Sequence, residues 1–233
     1  MTSSPTEPPG THGALMDKVY RRQRHIYDFT RKYYLLGRDR LIRQLRAKPN
    51  ERFVEVGCGT ARNLVRIART YPGVRLYGLD ASQEMLRTAE EAIRRAGLSG
   101  RIRLAHGLAE EMSPALFGEQ EAFDGVIFSY SLSMIPDWLS ALKAGARCAR
   151  PEGKVYVVDF GDLMGLWGPA ARALRAWLRL FHVTPRDKLL KVLELPSQKQ
   201  TDYALHILPG RYAFVLKATP AIICGIDSNS VAA

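Results

Sequence analysis

The stretch that decides the fold is VEVGCGTARN, residues 54–63. It joins an apolar run over 52–57, typical of a buried strand, to a helical pattern over 62–70. Gly57 and Gly59 lie between them, where glycine allows a tight turn and a close approach of the backbone to a ligand. The third glycine of a dinucleotide-binding loop is absent, which argues against a pyrophosphate cofactor. Two glycines alone would equally fit a simple strand-to-helix turn.

Apolar runs and helical patterns alternate on both sides of this stretch. Such alternation predicts a parallel sheet covered by helices on both faces, with its site at the carboxyl ends of the strands. Pro209-Gly210 marks a turn between two later strands, 203–208 and 212–218. We therefore predict a doubly wound α/β fold with a mostly parallel, seven-stranded sheet and an antiparallel edge hairpin. The earlier strands are expected at 52–57, 74–80, 102–106, 123–129 and 153–160.

Charge divides the chain unevenly. The net charge is +11, and residues 17–48 carry eleven basic and three acidic side chains. Such a segment favours an anionic partner, either a nucleic acid or an anionic membrane surface. We expect a disordered N-terminus at 1–14, a basic helical segment at 15–48 that breaks near Gly37, a main domain at 49–219, and a tail at 220–233.

The sequence also argues against a membrane-spanning, a secreted and a metal-binding protein. No apolar stretch reaches the ~18 residues of a spanning helix, and no signal-peptide pattern follows the polar start. The three cysteines are widely spaced, with neither a zinc spacing nor a disulfide framework, so we expect a reducing cytoplasm and no metal site.

Residues at the ends of three further strands support a nucleoside ligand at the glycine loop. Asp80 ends the second predicted strand, 21 residues after Gly59. An acid at this position can accept hydrogen bonds from both ribose hydroxyls, although it could also cap the following helix. Leu108 and Ala109 follow the third strand, where small apolar groups could hold an adenine. Ser129 ends the fourth strand, at the crevice over the same ligand.

Five stretches in order resemble the motifs of class I S-adenosylmethionine-dependent methyltransferases: EVGCGT, LYGLDAS, HGLAEEM, FDGVIFSYSL and RPEGKVYVVDF, within 55–160. The resemblance implies S-adenosylmethionine as cofactor. It implies that Glu55 binds the methionine amine and that Asp80, with its neighbour Ala81, faces the ribose. Gly57, Cys58 and Gly59 would face the cofactor backbone, and Leu108 and Ala109 the adenine. Glu152 stands where the family usually has a glycine, a small departure.

Two other stretches resemble the bacterial betaine-lipid N-methyltransferases: YRRQRHIYDFTRKYYLLGRDRLIRQL at 20–45 and FHVTPRD at 181–187. This resemblance implies threefold methylation of the amine of diacylglyceryl-homoserine. It also implies a pathway partner that transfers the aminocarboxypropyl group to diacylglycerol. The protein would then lie in the cytoplasm, peripherally bound to the inner face of the membrane.

Aromatic side chains are expected around the acceptor, because tyrosine faces attract the cationic head group that methylation creates. We assign Tyr27, Tyr34 and Tyr130 to this catalytic pocket, and Arg31 to the homoserine carboxylate. His182 is expected to bind substrate, with His25 as another possible proton acceptor. Ordinary packing is the alternative for the tyrosines, and a structural role is the alternative for the histidines.

An amphipathic pattern covers 163–181, with Trp167 and Trp177 on the apolar face and three arginines on the other. It fits a membrane-interface helix or a lid packed on the protein.

Three other functions stay open. One is a methyltransferase for a small quinone-like or natural-product acceptor, and another is an RNA methyltransferase. The third is a non-catalytic protein that binds lipid or nucleic acid. The residues SYSL at 129–132 do not resemble a base-methylation motif, which argues against nucleic acid.

Overall fold

The structure is a computed structural model that describes residues 35–181, 183–194 and 202–227. Its centre is a seven-stranded sheet with the order β3-β2-β1-β4-β5-β7-β6. The strands are β1 (Arg52–Val56), β2 (Arg75–Asp80), β3 (Ile102–His106), β4 (Phe123–Ser129), β5 (Ala149–Phe160), β6 (Tyr203–Ile207) and β7 (Ala213–Ala218). The helices are α1 (Arg38–Leu45), α2 (Arg62–Thr70), α3 (Gln83–Arg95), α4 (Trp138–Cys148), α5 (Gly168–Leu180), α6 (Asp187–Leu193) and α7 (Pro220–Cys224).

The sheet confirms the predicted fold class. Strands β1 to β5 pair in parallel, with β1 between β2 and β4. Strand β7 runs antiparallel to both β5 and β6. A short turn of 3₁₀ helix at Pro209–Arg211 joins β6 to β7, so the hairpin predicted from Pro209-Gly210 is present. Because β1 and β4 are central neighbours, their carboxyl ends meet in the middle of one sheet edge.

Helices cover both faces of the sheet because each has an apolar stripe at helical spacing. In α2 the buried positions Leu64, Ile67 and Ala68 recur at that spacing and pack with α1 and α3 on one face. Helices α4, α6 and α7 pack on the opposite face. Successive strand residues alternate between the two layers, with Phe53 in one and Val54 in the other.

The two ends of the described chain refine the predicted boundaries. Helix α1 begins directly after Gly37, which has a left-handed backbone with φ 85°. The segment assigned to a tail instead begins with α7, where Ile223 and the following Ile226 are buried in the core. The expectations for 1–34 lie outside the described residues. No described helix has both the length and the apolarity to cross a bilayer.

Candidate active site

The glycine loop at the end of β1 turns through left-handed backbone. Gly57 has φ 71° and Gly59 has φ 53°, a region that costs other residues energy. The amides of Gly57 and Cys58 both donate to the carbonyl of Leu79, at 2.8 and 3.0 Å, which ties the loop to β2. A Cβ on Gly57 would lie 2.6 Å from Cβ of Ser131, so this position has no room for a side chain.

Asp80 holds the same loop from the end of β2. Its Oδ2 accepts from the amide of Gly59 at 2.7 Å, and its Oδ1 accepts from the amide of Ser82 at 2.9 Å. Ser82 caps α3, since its hydroxyl accepts from the amide of Met85. Asp80 therefore shapes the loop, and a carboxylate has lone pairs enough to accept ribose hydroxyls as well.

A buried chain of polar side chains crosses from β1 to β4. Nδ2 of Asn63 donates to Oε1 of Glu55 at 2.7 Å and to Oγ of Ser129 at 3.0 Å. Glu55 is only 2% exposed. Because Asn63 donates to its carboxylate, Glu55 is held in one position at the base of the cleft. The sequence reasoning missed Asn63. Its only signal was an amide in the first turn of the helix that follows the glycines.

These elements line an open cleft of about 940 Å³, a volume in the usual range for a small-molecule site. The wall contains the buried carboxylate of Glu55, the glycine loop with its close backbone, and Ser129. That combination fits S-adenosylmethionine, which has an amino-acid end and a nucleoside end. The lining residues include Leu35, Arg38, Glu55, Gly57, Cys58, Gly59, Asn63, Arg66 and Ser129.

Cys58 contributes a neutral thiol to this wall. Burial raises the pKa of the Cys58 thiol well above its usual range, and the negative charges of Asp80 and Glu55 raise it further. The thiol is therefore protonated at physiological pH.

The predicted adenine contacts lie beyond the cleft lining, after β3. Leu108 is 41% exposed, whereas Ala109 is buried. The carbonyl of Ala81 lies 3.1 Å from Nε2 of His106, which braces the ends of β2 and β3. An exposed leucine beside a buried alanine offers an apolar surface that a flat base could cover. The structure thus brings Asp80, Ala81, Leu108 and Ala109 to one sheet edge.

Tyr130 does not stand open at the cleft as the sequence reasoning expected. It is 2% exposed, and its ring packs edge-on against Phe160 with centroids 4.8 Å apart. Its hydroxyl donates to the carbonyl of Leu36 at 2.5 Å. A φ of 57° at Tyr130 turns the chain sharply after β4 and directs the ring into the core. Tyr27, Arg31, Tyr34 and His182 lie outside the described residues, so their roles stay predictions.

The buried Asp159 and the half-buried Arg186 hold the loop after β4. Asp159 accepts from the amide of Ser133 at 3.0 Å, and burial raises the pKa of Asp159 to about 6. Arg186 donates to the carbonyls of Leu132 and Ile135, at 2.9 and 2.7 Å. The loop that carries Ser131 against Gly57 is thereby fixed from β5 and from the start of α6. Among the described residues, no cluster of metal-ligating side chains occurs.

The amphipathic segment splits its two tryptophans. Trp167 is 78% exposed just before α5, together with the neighbouring Met164. Trp177 instead packs against Phe181 with ring centroids 4.9 Å apart, beside the core. Arg175 is held by Asp187 at 3.0 Å. One face of α5 is therefore packed on the protein. Large exposed apolar side chains lie at both ends, with Met164 and Trp167 before the helix and Leu180 at its last position.

Comparison with known proteins agrees with this geometry. Residues 53–153 match a family model described as a methyltransferase domain. The S-adenosylmethionine-dependent methyltransferase SibL in its apo form superposes with a TM-score of 0.59 at 22% identity, covering 94% of this chain and 64% of that chain. The α/β fold of the class I methyltransferases, predicted from the sequence, is thereby confirmed.

Two curated relatives of the chain carry quinone names. A demethylmenaquinone methyltransferase of Geobacillus kaustophilus is 30% identical over 141 residues, 60% of this chain and 57% of the relative. A ubiquinone/menaquinone biosynthesis C-methyltransferase of Geotalea daltonii is 26% identical over 140 residues, 58% of each chain. The chain thus spans little more than half the length of these relatives.

Proposed function

We propose that the chain transfers a methyl group from S-adenosylmethionine to the head group of a membrane lipid. The observation that carries methyl transfer is the cleft where the glycine loop, Asp80 and the pair Glu55–Asn63 converge. The match of residues 53–153 to a methyltransferase domain supports the same reaction. When bound, the cofactor supplies an electrophilic methyl group on a sulfonium.

The residues of the cleft act by binding and orientation. Glu55, fixed by Asn63, would hold the amino group of the cofactor, and Asp80 would hold its ribose. Leu108 and Ala109 would cover the adenine. In-line transfer to a nucleophile needs little covalent help, so positioning accounts for most of the rate.

A quinone-type acceptor is the candidate that the comparisons favour. Both curated relatives described above are named for quinones, and one of them is named a C-methyltransferase. An isoprenoid quinone is a membrane lipid, and the exposed Trp167 and Met164 provide apolar surface for contact with a bilayer.

The amine of diacylglyceryl-homoserine is the second candidate. Its support is the resemblance of residues 20–45 and 181–187 to betaine-lipid N-methyltransferases, two stretches outside the matched domain. Part of the second stretch lines a separate cavity of about 370 Å³ with Trp138, Arg175 and Arg179. This candidate also implies the aminocarboxypropyl-transferring partner and binding at the inner face of an anionic membrane.

One competition assay separates the acceptors. The purified chain would receive isotopically labelled S-adenosylmethionine and vesicles containing reduced demethylmenaquinone, diacylglyceryl-homoserine, or both. Label in the quinone supports the first candidate. Mono-, di- and trimethyl homoserine lipid supports the second. A parallel reaction receives RNA in place of vesicles. If S-adenosylhomocysteine binds and the RNA is labelled but neither lipid is, the lipid-acceptor proposal is wrong.

A further inference from the structure

The cavity beside the C-terminal half of α5 is separate from the cofactor cleft. Its volume is about 370 Å³, and the two share no lining residue among those described. Residues 183–188, which lead into α6, form one side of it, and Trp138, Arg175 and Arg179 complete the lining. Binding of S-adenosylmethionine in the cleft therefore leaves this cavity free for another ligand.

The lining of the cavity is positively charged. Among the described lining residues, four are cations and one, Asp187, is an acid, so four less one leaves a net charge of +3. Oδ2 of Asp187 accepts from Nη2 of Arg175 at 3.0 Å, which neutralises that pair. The remaining charge favours an anion. The lining cations are Arg175, Arg179, Arg186 and Lys188.

Arg186 is a half-buried cation in a fixed position on this lining. Its Nε donates to the carbonyl of Leu132 at 2.9 Å, and its Nη2 donates to the carbonyl of Ile135 at 2.7 Å. Its guanidinium also lies over the ring of Trp138, 5.8 Å from the ring centroid. Because a guanidinium has five N–H groups, the two that hold Arg186 in place leave others that can donate to an anion.

The surface around the cavity is apolar and carries no negative charge along α5. That helix contains three arginines but neither Asp nor Glu. Leu180 follows Arg179 and is strongly exposed, as are Met164 and Trp167 before the helix. Exposed apolar side chains beside cations are typical of a helix that lies in the interface of an anionic membrane. The anion that such a membrane presents at head-group depth is the phosphate of a phospholipid.

We propose that this cavity binds the phosphate of an anionic phospholipid while the exposed face of α5 contacts the bilayer. Arg179 would meet the phosphate at the exposed side, and Arg186 would donate to it from the half-buried side. Guanidinium groups bind phosphate oxygens through short, charge-assisted hydrogen bonds. The lipid here is a ligand rather than a substrate, so its binding goes beyond the proposed function and does not depend on which acceptor is methylated.

Two substitutions in α5 test the site. Arg179→Gln removes a lining cation, and Arg172→Gln removes an exposed cation of the same helix outside the lining. Sedimentation with phosphatidylcholine vesicles, with and without phosphatidylglycerol, measures binding. Arg179→Gln should weaken binding to the phosphatidylglycerol vesicles by about 10-fold or more, as expected for charge-assisted hydrogen bonds. Arg172→Gln should weaken it by about 5-fold at most, the effect of one charge near the surface.

A soluble probe separates the phosphate from the bilayer. Glycerol 3-phosphate has the phosphate and glycerol of a phospholipid but no acyl chains. Its phosphorus NMR signal should broaden with the wild type and with Arg172→Gln, but not with Arg179→Gln. Thermal unfolding should be the same for all three proteins, because both arginines are exposed. Affinity for S-adenosylhomocysteine should also be unchanged, because neither arginine lines the cofactor cleft.

Other results would overturn the site. Equal losses in the two variants would show a diffuse attraction between charges. Equal binding of the wild type to vesicles without phosphatidylglycerol would show apolar contact alone. Glycerol 3-phosphate binding without vesicle binding would indicate a soluble phosphate compound. Unchanged phosphatidylglycerol binding in Arg179→Gln, with a raised KM for diacylglyceryl-homoserine, would place the acceptor in the cavity. If the wild type binds these vesicles as expected but not S-adenosylhomocysteine, the proposed function is wrong and the lipid site stands.

Discussion

The side of the site proposed for the cofactor and the side proposed for the acceptor, here the cofactor side and the acceptor side, are built in different ways. On the cofactor side, short contacts join strand ends whose positions the sheet register fixes, as between Gly59 and Asp80. On the other side, the loop after β4 is held by Asp159 of β5 and by Arg186, which precedes α6. The cofactor side is set by the sheet, whereas the acceptor side is set by the segments that connect the strands.

This difference explains what the fold can reveal. A shared sheet carries a shared cofactor loop, whereas the acceptor depends on connections that vary freely around the same sheet. The comparisons accordingly support the methyltransferase domain more firmly than any acceptor. The predictions below test whether the two sides are as separate as this comparison implies.

The largest effect is expected at Gly57. Gly57→Ala forces a Cβ to within 2.6 Å of Ser131 at a φ of 71°. We expect a loss of about 3–5 kcal/mol of unfolding free energy, from strain and overpacking together. Binding of S-adenosylhomocysteine should be abolished. Urea unfolding and calorimetry measure the two effects.

Gly97→Ala is the matched control, with a similar φ of 68° and no atom within 4 Å of the added Cβ. It should lose only about 1–2 kcal/mol and keep its ligand affinity. Similar losses in both variants would show that backbone strain alone, rather than contact with the acceptor-side loop, makes Gly57 necessary.

Asp159 should give the acceptor side its own pH dependence. The pKa of Asp159 is raised to about 6 by burial, so the folded state holds a proton that the unfolded chain releases near pH 4. Its contribution to stability is therefore full below pH 4 and is lost as the pH rises through about 6. The change amounts to roughly 3 kcal/mol.

Unfolding curves from pH 4 to pH 8 for the wild type and Asp159→Asn check this expectation. The unfolding free energy of the wild type minus that of Asp159→Asn should change by roughly 3 kcal/mol over this pH range. Other titrating groups are present in both proteins, so their contributions cancel in this difference. Parallel curves for the two proteins would contradict it. Binding of S-adenosylhomocysteine should be similar in both if the two sides of the cleft are separate.

A somewhat smaller effect is expected for the loop carboxylate. Asp80→Ala should weaken S-adenosylhomocysteine binding by about 1.5–3 kcal/mol, the range for charge-assisted hydrogen bonds. The structure adds a cost in stability, because the amides of Gly59 and Ser82 lose their acceptor. Calorimetry at fixed pH measures the affinity. Unchanged affinity would remove Asp80 from the cofactor site.

The smallest effect on stability is expected at Trp167. Trp167→Ala changes an exposed side chain, so unfolding free energy should move by less than about 0.5 kcal/mol. Binding to anionic vesicles should weaken by about 1–2 kcal/mol through lost apolar burial. Trp177→Ala should lower the unfolding free energy more than Trp167→Ala and weaken vesicle binding less, since the Trp177 ring packs on Phe181. Vesicle sedimentation that responds to neither change would contradict a membrane role for this segment.

The cofactor side was largely predictable because its signals are local. Apolar runs marked the strands, glycines marked the turn, and the spacing from Gly59 to Asp80 brought both to one edge. The role of Asp80 in shaping the loop was not visible, since it depends on side-chain geometry. Asn63 was missed because an amide in a helix has no distinctive pattern until its two partners are known.

The acceptor side was less predictable for physical reasons. The inward ring of Tyr130 follows from a left-handed backbone at a non-glycine residue, which no sequence pattern marks. The packing of Trp177 against Phe181, with Trp167 left exposed, depends on where α5 meets the core.

The C-terminal helix α7, in contrast, carried a signal in the sequence, because Thr219 precedes a proline at the first helical position.

The state of Cys58 has a consequence for chemical selectivity. A cysteine thiolate beside a methyl sulfonium would be a strong competing nucleophile, able to take the methyl group intended for the acceptor. Burial and the nearby carboxylates keep this sulfur protonated, and a neutral thiol is a poor nucleophile. The same charges that would bind the cofactor would thus protect this sulfur from methylation during the proposed reaction, and they would also slow its oxidation.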